Sequence, residues 1–313
     1  MRIYLSASHT YPAKLTGTAS QNPTDLLVRG LGELGHDIFY DLRQNEILEP
    51  LPDSVNLAEK WMFDVDILHI QDISPFESFD SRGKPWLRTY HAPLGNHVVP
   101  ANFGKSNIVF VSKFHAQCFG SERYVYNSID PDDFIYSQTK EDYFVFLVCG
   151  LERAILKGLG LALLLVQELG IKLIVAGSSK NDFYQRQFAV MCREQGVEFV
   201  GEIRGKQKAE LLAGAKALLA PTLIPEPFGL VVAEALISGT PVICSDRGAF
   251  PELVSSDVGF ICHKFEEYIN AIAKIETISP QVCRDKAMRD FHYLKMAADY
   301  IKEYEKEIQF NLS

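Results

Sequence analysis

Short apolar runs alternate with amphipathic stretches along most of the chain. Each run is about four to eight residues long and almost continuously apolar, which is typical of strands buried on both faces of a parallel sheet. A first series predicts strands at 2–8, 37–42, 66–72, 86–92 and 107–112, and a second predicts strands at 143–149, 172–177, 197–201, 217–222 and 241–246. Amphipathic spacing between these runs predicts helices at 23–34, 157–169, 181–195, 206–215 and 227–238.

Repeated strand–helix units of this kind predict an α/β protein with doubly wound parallel sheets. Because two series occur in a chain of 313 residues, we expect two Rossmann-like domains. The polar segment 127–143, which contains Pro131 and several acidic residues, is the predicted boundary. We assign residues 1–135 to a first domain and 136–290 to a second. Ligands are expected in the cleft between them, at the carboxyl ends of the strands.

The composition narrows the class of protein. Hydrophobic residues make up 47% of the chain and charged residues 23%, as in ordinary soluble globular proteins. The net charge of -9 gives no support for a nucleic-acid surface or for peripheral contact with an anionic membrane. The six cysteines form no Cys-x-x-Cys pair, and the chain shows neither a signal-peptide pattern nor a long apolar run. These features predict a cytoplasmic protein with reduced thiols and no transmembrane segment.

Two motifs have the residue spacing of a known binding site, but both precede a predicted strand instead of following one. Gly30, Gly32 and Gly35 match G-x-G-x-x-G, but they precede a predicted strand instead of following one, which argues against dinucleotide binding. Asp64 and Asp66 likewise precede a strand, whereas a metal-binding Asp-x-Asp of nucleotide-sugar enzymes should close one. The histidines show no zinc-type spacing. We therefore predict no metal site and no cofactor.

Arg153 and Lys157 lie where a predicted strand ends and the next helix begins. Two cations beside a helix N-terminus form an anion site, because the peptide N–H groups and the helix dipole also attract negative charge. The alternative is that both are ordinary surface cations, and the spacing alone does not decide between the two.

The apolar segment 221–246 carries two carboxylates, Glu226 and Glu234, near a predicted helix start. Pro227 suits the first turn of a helix, where the peptide N–H groups have no partner within the helix. Those N–H groups belong to Phe228, Gly229 and Leu230. Carboxylates on either side of an anion site suit a ligand with sugar hydroxyls flanking phosphate, which is the layout of a nucleotide sugar. The alternative is that Glu226 caps the helix and Glu234 pairs with a neighbouring cation.

At these motifs the sequence resembles the retaining glycosyltransferase family 4, which has the GT-B fold. The segment "EPFGLVVAEALISGTPVICSDRGAFPELV" resembles the family's motif of two glutamates with seven residues between them, and "GLERAILKG" resembles its phosphate-binding loop. "TYHAP" resembles its donor-side histidine segment, and "YVYNSIDPDDF" its interdomain linker. One departure is that Leu151 follows the strand-end glycine where the family usually has arginine. In that fold the C-terminal helix, here 291–313, crosses back onto the N-terminal domain.

The resemblance implies a role for each matching position. Arg153 and Lys157 would neutralise the donor diphosphate, and Glu234 would bind the ribose. Glu226 would bind the transferred sugar, which His91 would face across the cleft. The remaining donor contacts would come from Phe228, Gly229 and Leu230 at the helix start, from Gly17 near the phosphate, and from Ile203 and Arg204 at the nucleobase.

The implied activity is transfer of a hexose from a nucleoside-diphosphate sugar to an acceptor hydroxyl, with retention of configuration and without a metal. A UDP-sugar is favoured over a GDP-sugar as donor. The acceptor class, whether a sugar, a glycolipid or a small molecule, is not specified by the sequence. Two alternatives stay open: a nucleotide-sugar epimerase with the same fold, and a catalytically silent nucleotide-sugar-binding protein.

Overall fold

The computed structural model describes residues 1–13, 22–43, 45–58, 60–71, 80–92 and 107–312. The chain divides into two compact units. Unit 1 comprises Met1–Ile129 and Phe291–Ser313, and unit 2 comprises Asp130–Asp290. None of the helices in the described ranges is both long enough and apolar enough to cross a membrane.

Unit 1 is built on a six-stranded parallel sheet. Its strands are β1 (Arg2–Ser6), β2 (Asp37–Asp41), β3 (Val55–Leu57), β4 (Ile67–Ile70), β5 (Trp86–Tyr90) and β6 (Ile108–Phe110), in the order β3-β2-β1-β4-β5-β6. The described helices of this unit are α1 (Asn22–Glu33), α2 (Lys113–Cys118) and the C-terminal α10 (Tyr293–Leu312). Strands β1, β4 and β6 are buried on both faces, which explains their continuous apolar sequences.

Helix α10 packs against α1 and closes the core of unit 1. Tyr300 and Tyr304 of α10 are almost fully buried among the aliphatic side chains of β1, β2 and α1. A Cβ atom on Gly30 would come within 2.9 Å of Ala297 Cβ, so this glycine allows the two helices to approach closely. Gly30 and Gly32 lie within α1, ahead of β2. Their positions agree with the argument against a dinucleotide motif.

Unit 2 is built on a second six-stranded parallel sheet. Its strands are β7 (Phe144–Val148), β8 (Leu173–Gly177), β9 (Glu198–Phe199), β10 (Ala217–Ala220), β11 (Val242–Ser245) and β12 (Gly259–Cys262), in the order β12-β11-β10-β7-β8-β9. The helices are α3 (Leu159–Leu169), α4 (Asp182–Glu194), α5 (Gly205–Gly214), α6 (Leu230–Ile237), α7 (Phe250–Leu253), α8 (Phe265–Lys274) and α9 (Pro280–Phe291).

The two sheets share one topology. In each, the first strand of the unit lies beside the fourth, so that β1 pairs with β4 and β7 pairs with β10. The connections leave the paired strands in opposite directions, which opens a crevice at their carboxyl ends. We call this place the switch point of each unit. The predicted fold class, α/β with two doubly wound parallel sheets, is confirmed.

The main differences from the sequence prediction occur at short or irregular elements. The sequence prediction missed strands β3 and β12. Strand β3 has only three residues and exposes Asn56 and Leu57, so it lacks the continuous apolar pattern. The helix predicted at 227–238 begins at Leu230, so the placement of Pro227 in its first turn was wrong. Helix α3 begins at Leu159 instead of residue 157. In both cases the preceding glycine adopts a left-handed backbone conformation, which local propensity does not reveal.

Candidate functional site

Two loops form the switch point of unit 2: residues 149–158 after β7, and residues 221–229 after β10. The loops are directly bonded to each other. The peptide N–H of Leu223 donates to the carbonyl oxygen of Leu156 at 2.9 Å, and the Thr222 hydroxyl donates to the same oxygen at 3.3 Å. The segments identified separately in the sequence therefore form a single local structure.

Gly158 makes this close approach of the two loops possible. Its φ is 89°, and a Cβ atom built on it would overlap the carbonyl oxygen of Pro221. Any other residue at 158 would require both a strained backbone and a displaced neighbouring loop. The crossing fixes the distance between the side chains that the two loops carry, Lys157 and Glu226.

Lys157 and Glu226 form an ion pair, in which Lys157 Nζ donates to Glu226 Oε1. The two side chains are mostly buried, with 22% and 13% of their surface exposed. Burial, followed by the positive charge of Arg153, lowers the pKa of Lys157 to about 8. Because the adjacent carboxylate favours the ammonium form, the pair is ionic at neutral pH. Arg153 lies exposed on a 3-10 turn, Leu151–Arg153, at the edge of the same loop.

Glu234 forms a second ion pair, with a partner that the sequence reasoning missed. Lys208 Nζ, on α5, donates to Glu234 Oε1 on α6 at 2.6 Å. The sequence left open that Glu234 pairs with some cation, but it gave no means of choosing Lys208. The other oxygen, Glu234 Oε2, is buried and has no hydrogen-bond partner within the described part of the chain. This oxygen therefore keeps an unused capacity to accept a hydrogen bond.

The start of α6 differs from the predicted one. Gly229 is the N-cap residue with a φ of 98°, and no side chain caps the helix, so the alternative role of Glu226 as a cap is wrong. A Cβ atom on Gly229 would overlap the ring of Phe250, which gives a packing reason for the glycine. The backbone of Glu226 is also bonded to the segment before α7, because its carbonyl oxygen accepts a hydrogen bond from the Ala249 N–H at 2.9 Å.

The residues predicted at the nucleobase lie between β9 and α5. Ile203 is half-buried, whereas Arg204 is exposed and donates to Glu202 Oε1 at 2.6 Å. Arg204 is the N-cap residue of α5, the helix that carries Lys208. The segment is therefore continuous with the Lys208–Glu234 pair.

His91 belongs to unit 1, where it follows β5. Its Nε2 lies 2.8 Å from Gln71 Oε1, and burial lowers its pKa to about 4. The imidazole is consequently neutral at neutral pH. Gly17, predicted near the phosphate, lies outside the described residues.

Within the described ranges, no group of three or more His, Cys, Asp or Glu side chains is arranged to hold a metal ion. Asp64 and Asp66 are bonded to Arg2, through its guanidinium at 2.6 Å and its peptide N–H at 2.8 Å. They join the start of β4 to the start of β1.

Comparisons with known proteins add independent information. A family model described as glycosyl transferases group 1 matches residues 130–290. Among curated proteins, the phosphatidyl-myo-inositol mannosyltransferase of Mycobacterium leprae is 24% identical over 143 residues, covering 43% of this chain and 38% of that protein. The O-antigen chain mannosyltransferase RfbU of Salmonella typhimurium is 27% identical over 185 residues, covering 57% of this chain and 52% of that protein. The chain thus spans about half or less of the length of these relatives.

Solved structures match over almost the whole chain. AviGT4, a glycosyltransferase involved in avilamycin A biosynthesis, has a TM-score of 0.79 at 22% identity, covering 99% of this chain and 98% of its own. Anabaena HepE, in complex with UDP and glucose, has a TM-score of 0.69 at 15% identity, covering 98% of this chain and 100% of its own. At these identities the likeness establishes the fold, and it confirms the predicted GT-B class.

Proposed function

The chain belongs to the glycosyl transferases group 1, and from this membership and the geometry of unit 2 we propose that it is a retaining, metal-independent glycosyltransferase. It would move a hexose from a nucleoside-diphosphate sugar to an acceptor hydroxyl. Two lysine–glutamate ion pairs of unit 2 carry this proposal: Lys157–Glu226 at the switch point and Lys208–Glu234 between α5 and α6.

The first ion pair would exchange partners when the donor binds. A diphosphate carries more negative charge than a single carboxylate, so it would draw the Lys157 ammonium away from Glu226. The released Glu226 carboxylate would then accept hydrogen bonds from hydroxyls of the transferred sugar. Phosphate binding would thereby prepare the sugar subsite, because the same exchange frees Glu226.

The second ion pair would stay intact. Glu234 Oε1 is occupied by Lys208, whereas Oε2 has no partner within the described residues. One carboxylate could therefore keep its counter-ion and accept a ribose hydroxyl at the same time. Keeping the charge paired avoids leaving an isolated carboxylate in the apolar surroundings of α6.

The chemical step would break the bond between the sugar C1 and the diphosphate and form a bond between C1 and the acceptor oxygen on the same face. The acceptor proton would pass to the departing phosphate oxygen. Lys157, Arg153 and the N-terminal end of α6 would stabilise the negative charge that develops on the diphosphate. We also propose that His91 contacts the transferred sugar. This role of His91 rests on the family resemblance.

The donor is proposed to be a UDP-hexose. Two findings support a hexose: both curated relatives above are named as mannosyltransferases, and the HepE structure contains glucose. That structure also contains UDP, which supports testing uridine donors first. GDP-sugars are the second choice.

The first test is a thermal-shift panel of uridine, guanosine and adenosine diphosphates and their hexose derivatives. A ligand that binds only the folded state at about 100 times its Kd should stabilise the protein by about 2.7 kcal/mol. We expect such stabilisation from one base class, and its loss in Lys157→Ala. A matched control is Lys172→Ala, which removes a lysine from an exposed ion pair with Glu198 in the same unit. No response to any nucleotide sugar would contradict the proposal.

Product analysis then separates the three activities. Incubation with the donor alone should yield only slow hydrolysis, whereas an epimerised sugar nucleotide would indicate the epimerase. Donor binding without turnover across a broad acceptor panel would indicate the silent binding protein. Retention is established by the anomeric configuration of the product, determined by NMR.

A further inference from the structure

A chain of buried polar side chains runs through unit 1, from helix α10 to His91. His69 on β4 is fully buried, with its Nδ1 at 2.6 Å from the Tyr304 hydroxyl and its Nε2 at 2.8 Å from Thr89 Oγ1. The Thr89 hydroxyl also lies 2.8 Å from the Tyr300 hydroxyl. The chain thus joins β4 and β5 to the C-terminal helix through hydrogen bonds in the core.

Gln71 connects this buried chain to His91. Its Nε2 lies 3.2 Å from His69 Nε2 and 3.3 Å from Thr89 Oγ1, whereas its Oε1 lies 2.8 Å from His91 Nε2. An amide nitrogen can only donate and an amide oxygen can only accept. In this orientation, therefore, the proton of the His91 ring must be on Nε2.

We propose that Gln71 is a positioning residue, which holds His91 as the neutral Nε2–H tautomer and so makes Nδ1 the atom that accepts a hydrogen bond from a ligand hydroxyl. Within the described residues, His91 Nδ1 is buried and has no hydrogen-bond partner. That the hydroxyl belongs to the donor sugar rests on the proposed function. The assignment of the His91 tautomer does not depend on the proposed function.

The surroundings of His91 favour a neutral ring. Burial alone lowers the pKa of His91, and the titratable groups coupled to it, His69 of β4 and His115 of α2, have pKa values lowered to about 3, first by burial and then by His91 itself. Gln71 contributes a hydrogen bond without a charge. An uncharged partner fixes the direction of the ring while leaving its protonation at neutral pH unchanged.

The tautomer can be measured in the ligand-free protein by NMR of 15N-histidine-labelled samples, with the His91 signals assigned from a His91→Gln variant. We expect the wild type to show a protonated Nε2 and an unprotonated Nδ1. Protonation of Nδ1 in the neutral wild-type ring would overturn the proposal.

Two substitutions of Gln71 test its role. In Gln71→Met, which keeps the length but removes the hydrogen bonds, we expect a mixed tautomer population and a fall in kcat of about tenfold, with little change in donor KM. In Gln71→Glu we expect the tautomer to be kept, because a carboxylate also accepts from Nε2–H. The added negative charge should raise the pKa of His91, so that both its NMR titration and the acid limb of the activity profile move to higher pH.

The isosteric Gln71→Glu variant also covers the case in which Gln71→Met fails to fold. Gln167→Glu, a change at an exposed amide in unit 2, is the matched control and should alter none of these measurements. A His91 titration that does not move in Gln71→Glu would overturn the positioning role. An enzyme inactive with every donor, but with the expected tautomer, would contradict the proposed function and leave the positioning of His91 intact.

Discussion

The two units have the same strand order but very different side chains at their switch points. In unit 2, the residues following β7 and β10 bring a lysine and a glutamate together as an ion pair. In unit 1, Gln71 directly follows β4 and binds a neutral histidine that follows β5. The shared topology therefore determines where these side chains meet, and the sequence determines whether they meet as charged groups or as neutral hydrogen-bonding groups.

The two switch points are therefore suited to different kinds of contact. Charged groups can exchange partners with a charged ligand, because the ion pair in the free protein can be replaced by one that is at least as strong. Neutral hydrogen bonds in a buried chain are instead suited to fixing direction, because each group can donate or accept only at certain atoms. Under the proposed function, we expect the charged groups of unit 2 to supply most of the donor affinity.

The largest expected effect is that of Lys157→Ala. Removing the main cation facing the leaving group should lower kcat by about 100- to 1000-fold, as loss of a comparable transition-state contact does in other enzymes. Steady-state kinetics with the identified donor measures this. Lys172→Ala should retain full activity, and full activity in Lys157→Ala would show that charge at the unit 2 switch point is not used in catalysis.

Glu234→Gln should have a smaller effect, confined to the nucleoside part of the donor. Loss of a charge-assisted hydrogen bond should weaken nucleoside diphosphate binding by about 10- to 100-fold. Pyrophosphate binding, which involves no ribose, should be almost unchanged. Isothermal titration calorimetry gives the affinity for both ligands, and Glu210→Gln on the exposed side of α5 is the control. Equal losses for both ligands would assign Glu234 to the phosphate or to the fold.

The pH dependence of donor binding should report on Lys157. Its pKa, lowered to about 8 in the free protein, should rise when phosphate replaces Glu226, so that binding near and above pH 8 takes up a proton. Affinity should therefore be close to its full value well below pH 8 and fall by about tenfold between pH 7.5 and pH 9. Lys157→Arg, whose guanidinium stays charged throughout, should bind with nearly constant affinity over this range. A wild-type affinity that does not change with pH would contradict the ion-pair exchange.

The smallest expected effect is that of metal removal. If the cations of the 149–158 loop neutralise the diphosphate, excess EDTA should change kcat by less than about twofold, because no divalent ion is then needed for leaving-group stabilisation. Activity measured with EDTA, and again after addition of Mg²⁺, provides the test. If EDTA abolished the activity and Mg²⁺ restored it, a metal ion as well as lysine would supply positive charge at the switch point.

The sequence by itself determined the repeated α/β pattern, because buried parallel strands must be continuously apolar and the helices between them amphipathic. It also placed Lys157 and Glu226 in loops at the carboxyl ends of strands. Both inferences depend on local order along the chain, which periodicity and turn residues record. The start of α6 was misplaced, because the left-handed conformation of Gly229 depends on its contact with Phe250.

Only the tertiary structure decided which side chains meet. Lys157 reaches Glu226 because β7 lies beside β10 and Gly158 lets their loops cross, although the two residues are 69 positions apart. Lys208 reaches Glu234 because α5 packs near α6, and Gln71 reaches His91 because β4 pairs with β5. Such pairings depend on strand neighbours and helix packing, which are set by the whole core and leave no local pattern in the sequence.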